Sequence, residues 1–270
     1  MIDPEIARYY DRGDERNRLT AGGDSLELVR TKELLERFLP APPVDVLDVG
    51  GGAGVYAAWL ARMGYRVHLV DPMPLHVEQA RAAAAAQPAH PFAVTLGDAR
   101  RLAADPASVD AVLLLGPLYH LTERADRITA LREAYRVLRP GGVALTVGIS
   151  RMASLLDVLR QGFLPRPEVL AIIEQDVRSG QHRNPERDAG WFTTAYFQTP
   201  DELGGEVSAA SFAVEPVIGI EGPGGYVGTG WGDPAQRDGI LHAARTVERE
   251  SSIIGLSAHL LAVGRKPDVT

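Results

Sequence analysis

Apolar and polar residues follow two rhythms along this chain, and the rhythms take turns. Short runs rich in valine and leucine recur at residues 44–49, 65–70, 92–96, 108–115 and 143–149. Each has the length of a strand, and the fourth is almost continuously apolar, as a strand buried on both faces would be. Segments with helical spacing lie between them, at residues 55–63, 74–86 and 126–138. Gly64 stands where a helix commonly ends, Pro88 stops the second helix, and Arg139-Pro-Gly-Gly142 reads as a tight turn. Strands alternating with helices predict an α/β fold with a doubly wound, mostly parallel sheet. Right-handed crossovers then gather the strand C-termini on one edge, where ligands bind.

The flanks differ. Residues 24–39 predict a helix capped by Asp24 or Ser25, with Leu26, Val29, Leu34, Leu35 and Phe38 as its apolar stripe. Residues 1–20 are polar and carry the adjacent pair Tyr9 and Tyr10. They read either as a solvated helix and loop or as a lid whose tyrosines touch a ligand. The alternation breaks over residues 151–200, which read as helical and mixed. A short helix follows, with Thr199 as cap and Pro200 in its first turn. Residues 212–220 and 257–263 predict two further strands, with a helix over 234–250 between them. The glycine-rich stretch 222–232 is either a surface connection or part of a pocket. The expected organisation is one structural domain: an N-terminal helical lid (1–43), an α/β core (44–150), a helical cap that sets specificity (151–200) and a segment completing the sheet (201–270).

The most informative stretch is Val46-Leu-Asp-Val-Gly-Gly-Gly-Ala-Gly-Val-Tyr56, a strand, a glycine turn and the start of a helix. Glycines let backbone approach a ligand closely. The helix that follows offers unpaired N–H groups and a partial positive charge. Asp48, Asp71, Asp98 and the Leu115-Gly116-Pro117 turn all fall at predicted strand C-termini, on the ligand-binding edge.

Composition narrows the picture. The formal net charge of −7 argues against nucleic acid as a partner, since phosphate contacts need a basic face. With no cysteine, thiolate metal sites, disulfides and cysteine nucleophiles are excluded. The seven histidines are scattered and none pairs with another at i, i+4, so no metal site is expected. The N-terminal residues lack a basic stretch followed by an apolar run, and no apolar run approaches a membrane span, so the expected compartment is the cytoplasm.

Asp48-x-Gly50-x-Gly52-x-Gly54 after a first strand resembles motif I of the class I S-adenosylmethionine-dependent methyltransferases. Asp71 after the second strand, Gly97-Asp98-Ala99 after the third and Leu138-Arg-Pro-Gly-Gly-Val143 before the fifth are similar to that family's other motifs in order and spacing. Leu114-Leu-Gly-Pro-Leu-Tyr-His-Leu121 resembles a subgroup of bacterial small-molecule methyltransferases. The resemblance covers residues 44–149. It implies a Rossmann-like seven-stranded sheet whose antiparallel last strand lies beside the sixth. It also implies S-adenosylmethionine as methyl donor, S-adenosylhomocysteine as product and a small-molecule acceptor, in a monomer or homodimer without a membrane partner.

By that resemblance Gly50 and Gly52 pass close to the donor's methionine part, and Asp48 orients the loop or reaches the ammonium. Asp71 takes the ribose hydroxyls, Pro72 and Met73 pack on the adenine, and Asp98 with the Ala99 N–H reads its edge. Leu115 and Gly116 flank the sulfonium, and Tyr10 closes over the methionine end. His120 is the candidate base, or else a structural histidine, and Tyr119 a candidate acceptor contact. His182, Trp191, Tyr196, Tyr226 and Trp231 are further acceptor candidates.

Rivals share this pattern. Gly52-Ala-Gly54-Val-Tyr-Ala57 also satisfies the dinucleotide fingerprint, with Asp71 about 20 residues on as a ribose carboxylate, which reads as an NAD(P) oxidoreductase. Asp48 beside the turn would repel a pyrophosphate but not a cationic ligand, and Asp98 adds a further carboxylate. Two more rivals keep the donor: its intramolecular cyclisation with release of methylthioadenosine, and a non-catalytic sensor.

Overall fold

The computed structural model describes residues 3–13, 19, 24–162, 166–184, 192–226 and 230–268. Its sheet is built on strands β1 (Asp45–Val49), β2 (Arg66–Asp71), β3 (Ala93–Leu96), β4 (Val109–Leu114), β5 (Leu138–Ser150), β8 (Ala213–Val214), β9 (Ile218–Gly219) and β10 (His259–Arg265). The strands lie in the order β3-β2-β1-β4-β5-β10-β8, with β9 also on β10. The first five pair in parallel, and β10 runs antiparallel to β5 from His259 opposite Ile149 to Arg265 opposite Val143. This is the mostly parallel sheet, with an antiparallel last strand, that the motifs imply.

Period-two alternation sends neighbouring side chains to two separate cores. Val46, Leu113, Leu145 and Val263 pack on one face against α2 (Leu26–Phe38), α3 (Val55–Arg62) and α4 (Pro74–Ala85). Leu47, Val112, Ala144 and Ala262 pack on the other against α6 (Arg124–Val137) and α9 (Pro200–Ala209). Ser25 caps α2, and Thr199 with Glu202 forms a reciprocal capping box on α9.

Three features depart from the sequence reading. Strand β5 begins before the Pro-Gly-Gly turn: Val109 pairs with Leu138 and Ala111 with Val143, so the intervening residues form a bulge inside the strand. The expected sixth strand is split into β8 and β9. Pro216, which lacks an N–H, stands between them, while the Glu215 N–H still donates to the Val263 carbonyl. The region expected as a helical cap contains strands as well. Beyond helices α7 (Ala153–Gln161) and α8 (Pro167–Ser179), β6 (Gln181–His182) pairs with β7 (Ala195–Gln198), and β7 runs parallel to the end of β5. It takes the place beside β5 that β4 vacates after Leu114. No described helix is long and apolar enough to cross a membrane.

Candidate active site

The parallel strands end on one edge, and two cavities open there. The larger, of about 320 Å³, is lined by Tyr10, Gly50, Gly52, Asp71, Pro72, Met73, Asp98, Ala99, Gly116, Tyr119 and His120. The smaller, of about 70 Å³, is lined by Asp48, Leu115, Glu27, Ile220 and His259, and it shares Gly50, Gly52, Gly116 and Tyr119 with the first. Every donor-binding residue expected from the motifs therefore stands on one of two adjoining walls.

The turn between β1 and α3 shapes both cavities. Gly52 has φ +57°, and a Cβ there would meet nothing within 4 Å. Gly51 is the opposite case: a Cβ would lie 2.6 Å from both Asp48 Oδ2 and Leu69 Cδ1. Gly54 precedes helix α3 and offers no side-chain cap, an arrangement that suits a helix start to ligand binding.

Asp71 is buried at the end of β2. Its Oδ2 accepts from the Gly52 N–H at 2.9 Å, and its Oδ1 accepts from the Met73 N–H at 2.9 Å and faces His76 Nδ1 at 3.1 Å. An ionised carboxylate has about four acceptor sites, so capacity remains toward the cavity. Asp48 is also buried, and its Oδ2 has no hydrogen-bond partner. Burial, and then the neighbouring charge of Asp71, pushes its carboxyl up to about 7. An orphaned carboxylate oxygen against a glycine turn fits a cationic ligand.

Asp98 differs in kind. The Arg100 guanidinium holds it in a fork, Nε to Oδ1 at 3.0 Å and Nη2 to Oδ2 at 2.6 Å, and the Arg100 N–H adds a third bond. These bonds keep its carboxyl below the usual carboxylate range. The rim is therefore less negative than three unpaired aspartates would make it.

Helix α1 (Pro4–Tyr10) lies across the larger cavity, with Ile6 and Tyr10 packed on Met73. The Tyr10 hydroxyl is 2.5 Å from His120 Nε2, and Thr194 Oγ1 donates to Glu5 Oε2 at 2.6 Å, tying α1 to the segment before β7. His120 ends the short helix α5 (Pro117–His120), within ring contact of Tyr10, Tyr119 and Phe192. Burial pushes its imidazole down to about 4, so it is neutral at pH 7.

The remaining acceptor candidates do not join them. His182 is buried against Asp176 and stacks on Phe197, Tyr196 lies under Arg127, and Trp231 donates to the Asp24 carbonyl. Tyr226 lies in a short turn away from both cavity walls, and Trp191 lies outside the described residues. Sequence reasoning missed His76, Arg100 and Thr194 on the larger wall and Glu27 and His259 on the smaller. It also missed that Glu27, Glu221 and His259 bring their polar atoms within 4.8 Å of one another. Glu221 is already committed there to three donors, Ser257 Oγ, the His259 N–H and His259 Nδ1.

The family model for the methyltransferase domain matches residues 46–142. These residues hold the ends of β1 to β4, while β5, β7, β9 and β10 complete the two cavities from outside the matched stretch. Residues 46–142 thus form a methyltransferase domain. The chain is 39% identical over 111 residues to an uncharacterized methyltransferase of Mycobacterium tuberculosis, covering 41% of this chain and 42% of that one. It is 34% identical over 119 residues to a ubiquinone biosynthesis O-methyltransferase of Methylocella silvestris, covering 43% and 44%. The aligned stretch thus spans less than half of either relative. A solved S-adenosylmethionine-dependent methyltransferase of Methanosarcina mazei shares the fold, with TM-score 0.60, 19% identity and coverage of 87% of this chain and 98% of that one.

Proposed function

We propose that the protein transfers a methyl group from S-adenosylmethionine to a small-molecule acceptor. The observation that carries this reading is the pair of adjoining cavities around Gly50 and Gly52, with Asp71 and Asp98 on one wall and the orphaned Asp48 oxygen on the other. The larger has the volume of a small-ligand site. The donor supplies an activated methyl group on a sulfonium. Asp71 accepts from the ribose, Pro72 and Met73 pack on the adenine, and Asp98 with the Ala99 N–H reads its edge. The backbone at Gly50 and Gly52 lies against the methionine part, where Asp48 faces positive charge. Leu115 and Gly116 border the reacting end, Tyr119 faces the acceptor, and Tyr10 covers the bound donor.

Methyl transfer is an in-line displacement, so alignment and exclusion of water supply much of the rate. A lid formed by α1 and the segment before β7 serves both ends. The acidic balance of the chain and the narrow cavities favour a small acceptor over nucleic acid.

Calorimetry with S-adenosylhomocysteine and NADH tests the donor. Mass spectrometry of reactions with a library of hydroxyl, amine and carbon acceptors tests the chemistry. Methylated acceptor and S-adenosylhomocysteine in equal amounts are expected. Methylthioadenosine alone, binding without turnover, or preference for NADH would each replace the reading with one of its rivals.

A further inference from the structure

We propose that His259, oriented by Glu221, is the general base that takes the proton from a hydroxyl acceptor, making the protein an O-methyltransferase. This rests on the methyl-transfer reading above and adds the atom methylated and the residue that prepares it.

The argument begins with the backbone. His259 opens β10 opposite Ile149 at the end of β5, so the antiparallel strand delivers it to the edge where the parallel strands end. The Ile220 N–H donates to the His259 carbonyl, which fixes its main chain. Glu221 follows β9 and is buried, 3% exposed. One of its oxygens, Oε2, accepts from Ser257 Oγ at 2.9 Å and the His259 N–H at 3.0 Å. The other, Oε1, lies 2.5 Å from His259 Nδ1. An ionised carboxylate only accepts, so Nδ1 carries the hydrogen and Nε2 carries the lone pair of the neutral ring. Glu27 from α2 places a second carboxylate within 4.8 Å of these atoms.

Position completes the case. His259 and the donor-side residues Gly50, Gly52, Leu115 and Gly116 wall the same small cavity. Among the described residues, Glu27, Glu221 and Asp48 bring carboxyl groups to its surroundings. In the reaction the acceptor O–H bond breaks and its proton passes to Nε2. The oxygen's lone pair forms the new O–CH3 bond, and the electron pair of the breaking S–CH3 bond returns to sulfur as the neutral thioether leaves. His120 is a poorer base, being held neutral beneath Tyr10.

The test uses the full chain. Long-range ¹H–¹⁵N NMR with bound S-adenosylhomocysteine is expected to show His259 with its hydrogen on Nδ1 and a pKa that Glu221→Gln lowers by about one unit or more. His259→Asn keeps an N–H near the Nδ1 position for Glu221 but has no proton-accepting nitrogen. It should bind S-adenosylhomocysteine within threefold of the parent and melt within a few degrees of it. Its turnover of catechol should fall about 10²–10⁴-fold, against less than tenfold for 4-nitrocatechol, which ionises without help. Hydrogen on Nε2, a pKa indifferent to Glu221→Gln, equal losses on both phenols, or no methylation of either by parent protein that binds S-adenosylhomocysteine would each overturn the proposal. Failure of the parent to bind S-adenosylhomocysteine would instead overturn the methyl-transfer reading.

Discussion

The Tyr10 hydroxyl lies 2.5 Å from His120 Nε2, so a hydrogen bond fastens helix α1 to helix α5. Tyr10 also packs edge-on against His76, whose Nδ1 faces Asp71. Helix α1 and the Asp71 carboxylate are thus two contacts apart. Tyr10→Phe keeps the ring and loses the bond. Donor affinity should fall about 3–10-fold, the equivalent of one ordinary hydrogen bond, mainly through faster dissociation. Stopped-flow fluorescence with S-adenosylhomocysteine measures both rates.

Asp71→Asn keeps the size of the side chain but removes its charge. Donor binding should weaken by about 1–3 kcal/mol, the range for a hydrogen bond to a charged acceptor. Asp71→Ala should do the same and also lower the melting temperature, because the Gly52 and Met73 N–H groups lose their acceptor. Calorimetry and thermal melts separate the two effects.

Asp48 predicts a pH dependence. Its folded pKa, about 7, stands above the unfolded value of about 4. The folded state therefore binds more protons between those values, and this group's contribution to stability falls as pH rises from 4 to 7 and is level above. A cationic donor favours the ionised form, so donor affinity should rise as pH rises through about 7. Melting curves from pH 5 to 8, with and without S-adenosylhomocysteine, should converge at low pH and separate at high pH. Asp48→Asn should flatten both trends.

Adjacent glycines should behave oppositely. Gly52→Ala costs about 1–2 kcal/mol of backbone strain at positive φ and points a methyl group into open space. The protein should fold, with donor affinity reduced tenfold or more. Gly51→Ala forces a methyl against Asp48 and Leu69. Expression and melting temperature should fail before binding can be measured.

The sheet and the residues that line its cavity edge were legible because each depends on local pattern. Asp48, Asp71 and Asp98 each follow an apolar run, and period and punctuation suffice to place them on one edge. What escaped reading depends on pairing at long range. Arg100 sits two residues from Asp98, yet nothing local shows that it forks the carboxylate rather than facing water. Glu221 follows β9 and His259 opens β10, and only antiparallel insertion of β10 brings them together. Strands β6 and β7 are too short to show alternation, and they exist because the end of β5 offers unpaired backbone.

Pro216 splits the outermost strand at one margin of the sheet, and its neighbour Glu215 pairs there with Arg265. A continuous strand at that position would present a row of open donors and acceptors to any other chain with a similar edge. The interruption leaves two short pieces with charge between them, an arrangement that discourages strangers from adding a strand. Replacing Pro216 with valine would make the ladder smoother and the protein more prone to aggregate.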